Sequence, residues 1–137
     1  MQEKLYQIKG IDLRGLKQQC DLDQWYAELV HKSIDELSML DLSRMLRQEI
    51  FPDLAVPLVW NALIANPFAG EMYEGQLLEI LLRFLRKHPG QMEGDAYQKF
   101  AFSLQHELEF HVWESDEDRI EYEKVVRALD KLFSFGV

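Results

Sequence analysis

The residues able to do chemistry are few and poorly spaced for it. The segment "HELEFH" (106–111) approaches the His-Glu-x-x-His pattern of zinc proteases, but His106 and His111 stand five positions apart. At about 100° per residue on a regular helix they point about 140° away from each other, so one ion cannot take both. They read as two ordinary histidines on one amphipathic helix. "ELVH" (28–31) matches half of a carboxylate-bridged di-iron site, which needs a second Glu-x-x-His; the chain has none. Cys20 lies beside Asp21 and Asp23, whose charge opposes the thiolate that a nucleophile requires. There is no Gly-x-Ser-x-Gly elbow, and the seven glycines are scattered rather than gathered into a phosphate loop. The expectation is a protein without catalytic residues, metal or cofactor.

Charge patterning says more. "WESDEDRIEYE" (113–123) carries six acids, Glu114, Asp116, Glu117, Asp118, Glu121 and Glu123, against Arg119 alone. Acids in the first turn of a helix complement its positive end, which accounts for Asp116 to Asp118. It does not account for the others, or for Trp113 and Tyr122 among them. Acids speed encounter with a basic protein, and buried aromatics supply holding energy. A solvated helix face and a partner-binding face made of Trp113, Glu114, Asp116, Glu117, Asp118, Glu121 and Tyr122 are both compatible with the run.

Composition bounds the rest. The 137 residues suit a single domain able to bury a core. Net charge is −9, from 24 acids against 15 bases, which argues against direct binding to nucleic acid or an anionic membrane. One cysteine, Cys20, allows no internal disulfide and fits a reducing compartment. "MQEKLYQIKG" lacks the apolar run of a secretory signal, and Leu77 to Leu85 is too short to span a bilayer. These features predict a cytoplasmic protein.

The elements that must position any site are helical. "DLDQWYAELVHKS" sets Leu22, Trp25, Tyr26, Leu29 and Val30 at helical spacing. Ser38 and Asp41 form a variant capping box for a helix with Leu42, Met45, Leu46 and Ile50 on one face, stopped by Pro52. Asp53 can cap "LAVPLVWNALIAN", with Pro57 in or just past its first turn and Leu54, Leu58, Trp60, Leu63 and Ile64 forming its apolar surface. "YEGQLLEILLRFLRKH" is apolar nearly all round, as a central helix is. Asp95 can cap "AYQKFAFSLQHELEFHVW", whose stripe runs from Tyr97 to Val112, and a last helix spans roughly 116–133 with Ile120, Val125, Leu129, Leu132 and Phe133 inward. "KLYQIKGIDL" is either a short strand or an irregular lead-in. The predicted fold is an all-α, single-domain bundle of five or six helices, with an optional short N-terminal extended segment.

Between the two most apolar helices lies "NPFAGEMYEG" (66–75). With "LDLSRMLRQ" (40–48), "VPL" (56–58) and Leu77-Leu78, in that order and spacing, it resembles the core signature of the immunity proteins of bacterial contact-dependent growth inhibition systems. The segment Leu37 to Phe84, about a third of the chain, carries the resemblance. It implies a non-catalytic cytoplasmic antitoxin that binds the toxic C-terminal domain of a cognate effector, often a nuclease. That family pattern favours an acid where this chain has Gln76. The motif residues Asn66, Pro67, Gly70, Glu71, Tyr73 and Gly75 have a mainly structural reading. Pro67 ends a helix, Gly70 can adopt a left-handed conformation and Gly75 allows close approach. Phe68, Met72 and Tyr73 can pack across the two helices, and Glu71 and Glu74 face the next helix's positive end.

The expected function is therefore neutralisation of a basic toxin domain by steric and electrostatic occlusion, through the acidic C-terminal region rather than through the motif. The alternative is a helical adaptor or regulatory subunit for a basic protein partner, anchored by Trp25, Trp60 or Trp113.

Overall fold

A computed structural model describes residues 2–135, the last of these by its main chain only. Among the described residues there are seven α-helices: α1 Leu5–Lys9, α2 Asp21–Val30, α3 Met39–Arg47, α4 Pro52–Ala65, α5 Gln76–Lys87, α6 Gly94–Leu108 and α7 Asp116–Phe135. Short 3-10 turns occur at Leu13–Gly15, Ile34–Glu36 and Pro89–Gln91. The all-α class is as predicted; the helix number is higher, because the lead-in also coils. The N-terminal segment 5–9 is helical rather than extended: α1 closes on Gly10 in the left-handed region at φ 64°, and before it an antiparallel bridge pairs Lys4 with Ser33.

The chain divides into two compact units, 1–41 and 42–137. In the first, Leu5, Trp25, Leu29 and Val30 are buried. The predicted capping box is present: Asp41 N–H donates to Ser38 Oγ at 3.1 Å, and Ser38 N–H donates to Asp41 Oδ2 at 3.0 Å. Asp41 also accepts the Trp25 indole N–H at 3.0 Å and the Lys32 ammonium at 2.7 Å. Burial by itself would raise the Asp41 pKa, but Lys32, the Ser38 N–H and the indole outweigh it, and the carboxyl lies below its ordinary value.

In the second unit, α4 packs against α5 and α6, and α5 against α7. The apolar circumference of α5 is filled as expected: Leu77, Leu78, Ile80, Leu81, Leu82, Phe84 and Leu85 are all buried. Helix α4 starts earlier than predicted, with Pro52 in its first turn and Phe51 at φ 47° before it. Pro52 thus opens one helix rather than merely stopping another. The buried positions are Ala55, Val56, Val59, Trp60 and Leu63, whereas Leu54, Leu58 and Ile64 of the expected apolar surface are only half-buried, and Pro57 lies inside the helix.

Two further corrections bear on the site. Helix α6 stops at Leu108, so Val112 is not part of its stripe and His111 is not on the same helix as His106. In α7 the buried positions are Tyr122, Leu129 and Phe133, whereas Ile120 is 44% exposed. Trp25 and Trp60 are 7% and 1% exposed, so neither serves as the surface anchor that the adaptor reading required.

Candidate functional site

The corner 66–76 is built from main-chain hydrogen bonds. Asn66 caps α4, and its Oδ1 accepts the Phe68 N–H at 3.1 Å, an Asx turn. Gly75 N–H bonds to Phe68 O at 3.0 Å, and Leu77 N–H to Ala69 O at 3.1 Å. Gly70 is not left-handed as expected, whereas the close approach expected of Gly75 is present. Gly75 is the left-handed residue, at φ 85°. Gly70 is the close approach: a Cβ there would lie 2.0 Å from the Tyr73 carbonyl oxygen. Gly75 allows a close approach as well, since its Cβ would lie 2.3 Å from the Tyr122 ring.

Gln76 explains how the corner is closed. It is 9% exposed, and its Oε1 accepts the N–H groups of Glu71 and Met72, both at 2.9 Å. The requirement at this position is thus an oxygen acceptor on a side chain of this length. A glutamate offers the same oxygen, so the acid that the resemblance implies at this position could accept the same two N–H groups. Of the aromatics and Met in the corner, Phe68 is 8% exposed, while Met72 and Tyr73 stand out at 81% and 44%. Met72 and Tyr73 therefore do not pack across the helices. The Tyr73 hydroxyl donates to Glu79 at 2.9 Å, and burial first, then that carboxylate, raises its pKa.

Helix α7 is fastened to this corner. The Tyr122 hydroxyl donates to Pro67 O at 2.7 Å, and its ring packs against Phe68 and Trp113. Tyr122 was expected on the partner-binding face; at 3% exposed it is a core residue instead. Burial drives its phenol pKa well above the usual tyrosine range.

The connection 109–115 folds back over Phe68. His111 stacks on the Phe68 ring at 3.7 Å between centroids, and its Nε2 pairs with Glu74. Trp113 meets both rings edge-on and is half-buried. Exposure alternates along the segment as in an extended chain: His111 and Trp113 turn inward, while Phe110, Val112 and Glu114 face solvent. Ser115 then starts α7, its Oγ accepting the Asp118 N–H at 3.1 Å.

The predicted acids separate into two groups. Asp116 and Glu123 share Arg119, at 3.9 Å and 3.4 Å. Glu117, Asp118 and Glu121 lie on the other flank of α7. There Asp118 and Glu121 line a groove with Tyr73, Glu74 and Glu79. Helices α5 and α7 run parallel, with Gly75 beside Tyr122 at one end and Arg86 grouped with Arg127 and Lys131 at the other. The groove therefore sits at two positive helix ends, which lowers the cost of crowding four carboxylates there. Among the described residues Glu114, Glu117 and Asp118 make no ion pair, whereas Glu121 bonds Lys124 at 3.1 Å. No group of three or more His, Cys, Asp or Glu among them is arranged to hold a metal ion.

A family model described as CDI immunity proteins matches residues 7–94, more than half of the chain. This chain belongs to the CDI immunity protein family. No curated protein matches it. An immunity protein of this kind neutralises a toxin, and the match takes in the whole corner motif. It ends before most of α6 and all of α7, so the acidic groove of this immunity protein combines matched residues, Tyr73, Glu74 and Glu79, with unmatched ones, Asp118 and Glu121. No helix among the described residues is long and apolar enough to cross a membrane.

Sequence reasoning named Gln76 and His111 without finding their contacts, and it missed Glu79 and the outward pair Phe110 and Val112. One signal was available for the last two. "FHVW" (110–113) is a run of poor helix formers just before a Ser-x-x-Asp cap, which together mark a break between helices.

Proposed function

We propose that this immunity protein binds the C-terminal nuclease domain of a cognate effector in the cytoplasm and blocks it by occlusion, without catalysis. The docking face is the start of α7 and the connection before it: Trp113, Glu114, Asp116, Glu117, Asp118 and Glu121. Tyr122 supports it from beneath. The observation that carries this reading is the set of acids that make no ion pair among the described residues, Glu114 and Glu117 exposed and Asp118 half-buried, beside a half-buried Trp113. Carboxylates so placed can occupy the part of a basic cleft that nucleic-acid phosphates would take. The corner motif serves as scaffold for this face. Members that meet different toxins can share it, because its hydrogen bonds are internal.

The test is association kinetics with the purified toxin domain across a salt series. The on-rate should fall steeply as ionic strength rises. The triple variant Glu117→Lys, Asp118→Lys, Glu121→Lys should lower it about tenfold or more at low salt and should weaken protection of cells. An on-rate indifferent to both salt and the triple variant rejects the electrostatic face.

A further inference from the structure

We infer that Phe110 and Val112 form an apolar anchor that inserts into a pocket of the toxin domain rimmed by Lys and Arg. The inference rests on the docking reading above and adds to it the group that holds the complex together. Phe110 is 76% exposed and Val112 85%. Neither position is a loose loop tip. The inward neighbours are tied down: His111 stacks on Phe68 and pairs with Glu74, and Trp113 packs on Phe68, His111 and Tyr122. Fixing the alternate residues fixes the direction in which Phe110 and Val112 project. An apolar pair held out in one orientation loses little freedom when a partner covers it.

The occupant follows from the charges around the pair. Glu107, Glu109 and Glu114 are exposed beside it, and Glu74 shares a groove with Glu107, Phe110 and Val112. A second copy of this chain would bring the same acids against these in a molecule of net charge −9, so self-pairing is opposed by like charge. A partner with an apolar pocket and a cationic rim matches both parts. Apolar centre within charged rim is the usual arrangement of an energetic hot spot. The anchor is also continuous with the proposed acidic face, because Glu114 lies between Val112 and the first turn of α7.

The experiment measures toxin-domain binding by Phe110→Ser/Val112→Ser in the full-length protein. Dissociation should speed up about 100-fold, as loss of a hot-spot pair implies. The on-rate and its salt dependence should stay close to wild type, since no charge changes. Both side chains are exposed, so the thermal midpoint should hold. Val112→Asp alone provides a second variant, expected to speed dissociation about tenfold by setting another acid in an apolar pocket. Wild-type dissociation by both variants, with a slowed on-rate in the charge-reversal triple, overturns the anchor and leaves the docking reading standing. Normal binding by all three variants overturns both. A wild-type dimer in sedimentation that becomes monomeric with Phe110→Ser/Val112→Ser would identify a second copy as the occupant, and would overturn the inference.

Discussion

The Tyr122 hydroxyl bonds to the main-chain carbonyl of Pro67 at 2.7 Å across 55 positions of sequence, and the same ring covers Gly75. One side chain thus joins α7 to the corner between α4 and α5. Beside it, Asp118 and Glu121 of α7 face one groove with Glu74 and Glu79. Tyr122→Phe should lower unfolding free energy by about 0.5–1.5 kcal/mol, the net worth of one hydrogen bond. Tyr122→Ala should cost about 3–5 kcal/mol by opening a cavity under Phe68 and Trp113. Urea denaturation reads both, and a Tyr122→Ala protein of wild-type stability would show that the ring is not a clamp.

The same residue sets an alkaline limit. Burial raises its folded-state pKa above the unfolded value of about 10. Its contribution is therefore fully present below that value and is lost as pH rises beyond it, because only the unfolded chain ionises readily. Comparing wild type with Tyr122→Phe from pH 8 to 11 should show the wild type losing more stability.

At the corner, Gly70→Ala and Gly75→Ala should each destabilise by about 2 kcal/mol or more, for different reasons. The first drives a Cβ into the Tyr73 carbonyl, and the second combines a left-handed backbone with a clash against Tyr122. Paired with Tyr122→Ala, Gly75→Ala should cost less than in the wild type, whereas Gly70→Ala should cost the same. A thermodynamic cycle in urea separates the two.

Gln76→Ala should cost about 1–3 kcal/mol, because it leaves the N–H groups of Glu71 and Met72 without their acceptor. Gln76→Glu should retain most of the stability at neutral pH. The carboxylate would accept the same two donors at the start of α5, where negative charge is favoured. Equal stability of the Ala and Glu variants at pH 7 would contradict this account of the corner.

In the first unit, Asp41→Ala should cost about 3 kcal/mol by stranding the Trp25 indole and the Lys32 ammonium. The folded Asp41 pKa is lowered. Its stabilisation is thus present above the unfolded value of about 3.9 and disappears as pH falls through the folded value. An acid titration of unfolding free energy should show a smaller loss in Asp41→Ala than in wild type.

Much of this protein was legible in its residues. The period of the apolar positions gave α2 to α7 and the central place of α5, since a helix with Leu77, Leu78, Ile80, Leu81, Leu82, Phe84 and Leu85 has no face to leave in water. The Ser38 and Asp41 spacing announced its cap, and the order of motif pieces pointed to the family. Periodicity fixes which residues share a helix face, but it leaves open where each helix stops and which face meets a neighbour. Helix α6 ends at Leu108 without Gly or Pro, and beyond it His111 and Trp113 pack on Phe68. Tyr122 sits in an acidic run that reads as surface, yet it is buried because Gly75, 47 positions earlier, leaves room for its ring. The sequence by itself determined α2 to α7, the charge and the family. Only the packed structure decided that Tyr122 turns inward, that Phe110 and Val112 turn outward, and that Asp118 and Glu121 line one groove with Glu74 and Glu79. These outcomes depend on packing between residues far apart in the chain, and local spacing carries no information about it.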